Sequence, residues 1–319
     1  MTRPSQNAGG PGSQLGRSRA VVTGGAGFIG SHLVDRLLAD GLAVLVVDDL
    51  STGSTASINP RASFERRDIA VDELDGLFRS WRPSVVYHLA AQSSVPRSVH
   101  DPLHDLAVNV IGTHRVASAA AAARAGRLIF VSSGGAIYGE CSRPATESTV
   151  PAPLSYYGVH KLAAESHVAL AGLPYVVARP SNVYGSRQTT GTDGAVVAAF
   201  IDRASRGLAF EIHGDGRQTR DLIHVADAVD ALIFLAAPDR PSGVFNLATG
   251  RQASVLQIAD LAERACGRPI TRTFHPRRPG DVTKSALSPA KLRRLGWTAS
   301  VPLRIGLARL SRETSAQRA

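Results

Sequence analysis

The feature that most restricts this chain is a set of glycines at a fixed place. An apolar stretch, Ala20 to Thr23, runs into Gly24-Gly25-Ala26-Gly27-Phe28-Ile29-Gly30, and an amphipathic stretch follows. Glycines at 24, 27 and 30 leave the backbone bare where a strand turns into a helix. A pyrophosphate can then come close and meet the amides and partial positive charge of the helix start. A glycine pattern alone would also fit a tight turn. Eighteen residues beyond Gly30, however, a second apolar run, Ala43 to Val47, leads into Asp48. A carboxylate there can accept hydrogen bonds from adenosine ribose hydroxyls and would repel a 2'-phosphate, so the pattern predicts NAD rather than NADP.

The same rhythm continues along the chain. Val85 to Ala90, Leu128 to Val131 and Tyr175 to Ala178 read as further buried strands. Leu33, Val34, Leu37 and Leu38, stopped by Gly41, and the alanine-rich run from Val116 to Ala125 read as helices. Strand, helix, strand repetition predicts an α/β fold with a doubly wound parallel sheet of the Rossmann type. Beyond Gly185 the rhythm gives way to loops and turn signals such as Gly214-Asp215-Gly216, which predicts a smaller C-terminal α/β lobe for substrate. The expected division is a flexible arm over residues 1–16, an NAD-binding domain over 17–185 with a return segment at 222–250, and the substrate lobe over 186–221 and 251–319. The arm is rich in Gly, Ser, Pro, Gln and Asn and has too little apolar surface to bury.

Composition excludes several classes. With 319 residues, 44% hydrophobic and 19% charged, the chain can bury a sizeable core and is neither disordered nor a disulfide-stapled miniature. No apolar run is long enough to span a membrane and no secretory leader stands at the start, so the expected compartment is the cytosol. Cys141 and Cys266 have no partners at metal-ligand spacing, and no metal site is predicted. The formal charge of +10 is concentrated, because Arg268 to Ala319 carry twelve Lys and Arg against Asp281 and Glu313. A basic region without interleaved aromatics reads as a solvated arginine-rich face, and nucleic-acid binding is not implied.

A second constellation is Tyr157-Gly158-Val159-His160-Lys161, whose i, i+4 spacing sets a phenol and an ammonium on one helix face. A neighbouring ammonium and a cationic nicotinamide would lower the tyrosine toward working pH and let the phenolate act as a base. Ser132-Ser133 follows the run at 128–131 and supplies a hydroxyl.

These elements resemble the short-chain dehydrogenase/reductase superfamily, and Gly-x-x-Gly-x-x-Gly with a long C-terminal part resembles its extended branch. Matching segments run from about Arg17 to Trp297: Asp48-Asp49-Leu50-Ser51-Thr52-Gly53, Arg67-Asp68-Ile69, His88-Leu89-Ala90-Ala91-Gln92, Asn109-Val110-Ile111-Gly112-Thr113, Asn182-Val183-Tyr184-Gly185, Thr219-Arg220-Asp221 and Arg278-Pro279-Gly280-Asp281-Val282. Together they look like a nucleotide-sugar 4-epimerase of the UDP-glucose (UDP-galactose) 4-epimerase type.

The resemblance implies roles for particular residues. Gly24, Gly27, Phe28, Ile29 and Gly30 would line the NAD diphosphate, Asp48 the ribose, Asp68 and Ile69 the adenine, and Ala90 with Ala91 the wall behind the cofactor. Asp49, Ser51, Thr52, Gly53, Leu89, Gln92 and Asn109, from the same segments, complete the expected cofactor set. Tyr157 would be the base, Lys161 would hold the nicotinamide ribose and tune Tyr157, and Ser133 would bind the sugar's 4-oxygen. Asn182, Arg220 and Arg278 would meet the UDP-sugar phosphates; Arg187, with Gln188, follows the Asn-Val-Tyr-Gly turn near where the sugar's C6 would lie, and is either a partner for a uronate carboxylate or a structural loop arginine. A homodimer formed through a two-helix face is also implied.

Four departures stand out. Ser132 competes with Ser133 for the catalytic hydroxyl, with Ser133 preferred. Tyr156 replaces the usual proline before Tyr157. Pro180 and Ser181 replace aromatics near the expected nicotinamide position, and Ser288 stands where an aspartate is common. The reaction implied is C4 epimerisation of a UDP-hexose through a 4-keto sugar, with glucose/galactose and glucuronate/galacturonate as leading pairs and N-acetylhexosamines third. A 4,6-dehydratase would need acids where Gly134 and Gly135 stand. A non-catalytic NAD sensor would typically lack the tyrosine or lysine.

Overall fold

The apolar runs become the inner strands of one parallel sheet. The computed structural model of the protein describes residues 18–190, 195–277 and 282–316, so the expected arm at 1–16 lies outside the described residues, as do Arg278 and Asp281. The strands are β1 (Arg19–Thr23), β2 (Ala43–Asp48), β3 (Ser63–Arg66), β4 (Val85–His88), β5 (Arg127–Val131), β6 (Tyr175–Pro180), β7 (Asn182–Tyr184), β8 (Phe210–His213), β9 (Thr219–His224), β10 (Gly243–Leu247), β11 (Gln252–Ser254), β12 (Arg272–His275) and β13 (Lys284–Ser285). The helices are α1 (Phe28–Ala39), α2 (Asp75–Trp81), α3 (Val95–His100), α4 (Pro102–Leu106), α5 (Thr113–Ala122), α6 (Gly134–Ile137), α7 (Tyr156–Ala169), α8 (Val196–Arg206), α9 (Val225–Ala236), α10 (Val255–Cys266), α11 (Ala290–Arg294) and α12 (Leu303–Ala316).

Seven strands form the main sheet in the order β10-β6-β5-β4-β1-β2-β3, every pair parallel. This is the doubly wound Rossmann arrangement. Its order reverses between β1 and β4, and ligands of such sheets bind in the crevice beyond the carboxyl ends at that reversal. One face is sealed by Leu33, Val34 and Leu37 of α1 with Leu232 and Leu235 of α9. The other is sealed by Phe78 of α2, Val116 and Ala120 of α5, and Ala164 and Val168 of α7. Each fully buried large aliphatic or aromatic side chain here contributes about 1.5 to 3 kcal/mol.

Two strands of this sheet escape the apolar pattern. β3 reads Ser-Phe-Glu-Arg, and as the edge strand it has no need to be apolar on both faces. β10 closes the opposite edge, pairing Gly243–Leu247 with Val176–Pro180. The run from Val85 leaves the sheet at His88, so that Leu89 and Ala90 turn toward the glycine loop.

The chain leaves the sheet after β6 to build the smaller lobe. There β9 pairs with β7, β11 and β13, while β8 pairs with β12. Phe200 and Ile201 of α8, Ile258 and Ala262 of α10, Leu307 of α12, and Phe210 and Ile212 of β8 form its separate core.

Candidate active site

The glycine loop is shaped by backbone meeting backbone. Gly24 has φ +71°, and a Cβ on it would stand 2.5 Å from the Ala90 nitrogen and 2.8 Å from the Leu89 carbonyl carbon. A Cβ on Gly30 would run into the Gly24 carbonyl oxygen. Gly27 caps α1 with no side-chain hydrogen bond, and the first turn holds no acidic residue. With Phe28 and Ile29 it leaves a bare, electropositive helix start beside a cradle that only glycine can line. This matches the diphosphate of a dinucleotide.

Asp48, at the end of β2, braces this cradle. It is 7% exposed, its Oδ2 accepts from the Ala26 amide at 3.0 Å and its Oδ1 from the Leu50 amide at 2.9 Å. Burial pushes its carboxyl up from the ordinary value, while those two amides pull it down. The loop from Asp49 through Ser51 and Thr52 to Gly53 folds back over the cradle. Asp49 accepts from the Ser51 amide at 2.9 Å, and the Ser54 amide donates to the Ala26 carbonyl at 3.2 Å. Asp68 caps its own turn by accepting from the Ala70 amide at 2.8 Å, and Ile69 is buried against Gly112. Strands β1 to β4 run parallel, so all of these residues lie at the carboxyl end of the sheet.

His88 pins the back of the site. Thr113 Oγ1 donates to the Asn109 carbonyl at 2.7 Å and therefore accepts from His88 Nε2 at 2.9 Å, which leaves His88 Nδ1 to accept from Thr23 Oγ1 at 2.7 Å. Burial, and secondarily Lys161, push this histidine down to about 3, so it stays neutral. Gln92 and Asn109 turn their side-chain amides into the wall, both donating to Asp105, and Ala91 lies between Gln92 and the cradle contact at Ala90.

Beyond β5 the structure separates the two serines. Ser132 is buried and its hydroxyl donates to Glu165 Oε1 at 2.6 Å. Ser133 faces Tyr157 and pulls the phenol's titration down. Gly158 makes that approach available, since a Cβ there would lie 2.5 Å from the Ala136 carbonyl oxygen. Ser155 caps the helix by accepting from the Gly158 amide at 3.2 Å. Tyr156 is 50% exposed and turned outward, which leaves Tyr157 as the tyrosine of the site.

Lys161 is fully enclosed. Its Nζ donates to the Val131 carbonyl at 2.8 Å and sits 4.2 Å from the centre of the Phe130 ring. Burial brings it down to about 7, against the upward pull of Glu165 and Asp105. The expected lowering of Tyr157 is absent from the protein alone. Burial pushes the phenol up to about 12, Ser133 lowers it, and Asp105 raises it. The i, i+4 spacing places the two groups on one face, but the ammonium is aimed at a carbonyl.

Sequence patterns missed the network behind this pair. Glu165, one further turn along α7, forms a buried ion pair with Arg179 of β6 at 2.5 Å, and Arg179 donates to the Tyr138 hydroxyl at 2.8 Å. Glu165 extends the i, i+4 series of Tyr157 and Lys161, which is the signal that could have found it.

The substrate side is less uniform. Asn182 opens β7, and Arg220 lies on β9 with Nη1 donating to the Thr219 carbonyl at 2.9 Å. Arg278 lies outside the described residues. Arg187, in a left-handed turn at φ +63°, pairs with Asp35 of α1 at 2.8 Å. That gives its guanidinium a structural partner on the cofactor-domain helix and does not direct it at a sugar carboxylate. Ser181 donates to the buried Asp221 at 3.4 Å.

A glycine cradle at the β1 end, an acid at the β2 end and a Ser–Tyr–Lys set between β5 and α7 define an extended short-chain enzyme that uses a dinucleotide. Residues 20–248 match the profile described as the NAD dependent epimerase/dehydratase family, and the chain belongs to that family. It is 40% identical over 302 residues to a UDP-glucose 4-epimerase of Mycolicibacterium smegmatis, covering 91% of this chain and 96% of that one. The crystal structure of a UDP-glucose 4-epimerase with UDP-glucose from Thermotoga maritima superposes with a TM-score of 0.90 at 39% identity, over 94% of this chain and 100% of that one. A Thermus thermophilus UDP-glucose 4-epimerase in complex with NAD gives 0.89 at 36% identity, over 94% and 100%.

Proposed function

We propose that this protein interconverts UDP-glucose and UDP-galactose by NAD-dependent epimerisation at C4. The observation that carries the reading is that Ser133 after β5 and Tyr157 with the buried Lys161 on α7 come together at the same carboxyl end of the parallel sheet as the glycine cradle. NAD, held by Gly24, Gly27, Gly30 and Asp48, supplies when bound a hydride acceptor that can return the hydride to either face of a 4-keto sugar, and a positive ring charge that favours phenolate. Tyr157 removes the proton from the 4-hydroxyl and gives it back. Ser133 donates to the same oxygen and fixes its direction, while Lys161 supplies positive charge on the other side. Asn182, Arg220 and Arg278 hold the diphosphate, so that binding energy goes to the part that does not react and the sugar can turn over.

Two competing chemistries are disfavoured by specific residues. A dehydratase needs acids after the serine, and Gly134 and Gly135 stand there instead. Arg187 is engaged by Asp35, which favours the neutral hexose over the uronate. The protein is proposed to work in the cytosol, the compartment expected from its sequence. It is also assigned as a homodimer, because Val99, Leu103, Tyr156 and Val159 stand exposed on neighbouring helices α3, α4 and α7. Light scattering on a sizing column checks the dimer.

The reaction is tested by incubating the purified protein with UDP-galactose and, separately, UDP-glucuronate, with and without added NAD, and separating the products by anion-exchange chromatography. UDP-glucose should form from the first, with little change in the second. Accumulation of NADH or of a 4-keto-6-deoxy sugar, or conversion of the uronate alone, would overturn the reading.

A further inference from the structure

Asp105, on the short helix α4, is fully buried and accepts hydrogen bonds from three separate parts of the chain. Its Oδ1 accepts from Gln92 Nε2 at 2.6 Å and from Asn109 Nδ2 at 3.1 Å, and its Oδ2 faces His160 Nδ1 at 2.6 Å. Gln92 belongs to the segment whose Ala90 seats Gly24. Asn109 lies in a π-helical turn, Ala107–Gly112, and its Nδ2 also donates to the Gln92 carbonyl at 2.9 Å. His160 sits on α7 between Tyr157 and Lys161. One carboxylate thus ties the segment behind the cofactor cradle to the helix that bears the proton-transfer pair.

Burying a carboxylate is costly, and a set of apolar side chains would fill the same space at least as stably. What it supplies is geometry, since three directional bonds converge on two oxygens of one rigid group. We propose that Asp105, acting through His160, is a positioning residue for the reaction: it locks α7 against the Ala90–Gln92 segment and so sets where the Tyr157 hydroxyl stands relative to the cofactor wall. This rests on the epimerase reading above. The field of the carboxylate reaches the same pair, because behind the larger effect of burial Asp105 raises both Tyr157 and Lys161. The titratable groups facing Asp105 from α7 are His160, Tyr157 and Lys161. Arg97 and His100 of α3 are exposed, as is Asp101, while His104 is half-buried, and Gln92 and Asn109 carry no charge.

The test compares Asp105→Asn, His160→Asn and His160→Leu with the wild type. The readouts are NAD affinity by calorimetry, kcat and KM for UDP-galactose, the pH profile of kcat, and thermal unfolding. His160→Leu removes the donor and should lower kcat about 10-fold with KM within about 2-fold, the loss of one buried bond to a charged group. His160→Asn keeps a donor at nearly the same place and should recover most of that loss. Asp105→Asn sets an amide donor against Gln92 or His160, so NAD affinity should fall about 5-fold through displacement of the wall. It should also move the acid limb of kcat to lower pH, because removing the negative charge lowers both Tyr157 and Lys161. Wild-type kcat in His160→Leu, or equal impairment of the two His160 variants, would overturn the proposal. So would a folded Asp105→Asn with unchanged NAD affinity and an unmoved pH profile. If Asp105→Asn does not fold, the His160 pair decides. If the wild type converts no UDP-hexose, the reaction reading fails, and NAD affinity alone then judges Asp105.

Discussion

The two sides of the active site are built by opposite means. On the cofactor side, backbone is fitted to backbone: Gly24 lies against Ala90, Gly30 against Gly24, and Asp48 braces the loop through two main-chain amides. On the substrate side, side chains such as Asn182 and Arg220 stand on the short strands of a lobe with its own core. At Gly24 and Gly30 a cradle made of main chain leaves no space for an added Cβ. A site made of side chains can exchange one residue for another and change its ligand. Selectivity for NAD is therefore written into the shape of the sheet end, and selectivity for the sugar into residues the fold does not require.

This contrast can be attacked in order of expected effect. Tyr157→Phe removes the proton acceptor that both sides serve, and kcat should fall by about 1,000-fold while NAD affinity stays within a few-fold. A fall under 10-fold in stopped assays would remove Tyr157 from its role. Gly24→Ala should weaken NAD about 10- to 100-fold and lower the melting temperature, since the new Cβ meets the Ala90 nitrogen at φ +71°. Calorimetry and a thermal melt read both. Arg220→Ala, on the other side, should raise KM for UDP-galactose about 10- to 100-fold and leave kcat nearly unchanged, the signature of lost uniform binding. An equal loss in kcat would place Arg220 in the chemistry.

The two smaller effects concern the frame. His88 is held down to about 3 while the unfolded chain titrates near 6.5. The stability this histidine brings is complete above pH 6.5 and is lost as pH falls toward 3, by up to about 1.4 kcal/mol per pH unit. Urea unfolding at pH 7, 6 and 5 should show that slope in the wild type and a flatter one in His88→Asn. Arg187→Ala should matter least. Its pairing with Asp35 is more than a third exposed, so it contributes under about 1 kcal/mol, and KM for UDP-glucose and UDP-glucuronate should change by the same small factor. A selective rise for the uronate would return Arg187 to the sugar site.

What could be read from sequence follows the same division. The glycine cradle, Asp48 and the Tyr157–Lys161 face are local patterns, so spacing alone placed them on one sheet end and one helix. β3 carries no such pattern, because an edge strand need not be apolar on both faces, and in β10 the buried Asn246 interrupts the apolar run. The burial of Tyr157 was not legible, since burial is a property of the packed molecule, and in the protein alone it outweighs nearby charge. Ser132 and Ser133 are adjacent and chemically alike, and only the position of Glu165 separates them. Asp105 and His160 stand 55 residues apart, with no periodicity to link them.

The late return of β10 to the main sheet has a consequence for synthesis. β6 is finished at residue 180, yet the strand that covers its free edge ends only at residue 247, with much of the smaller lobe made in between. At an elongation rate of about 5 to 20 residues per second, the hydrogen-bonding groups of an apolar strand stay uncovered for roughly 3 to 13 seconds on each nascent chain. In that interval the uncovered edge is open to mispairing with another copy.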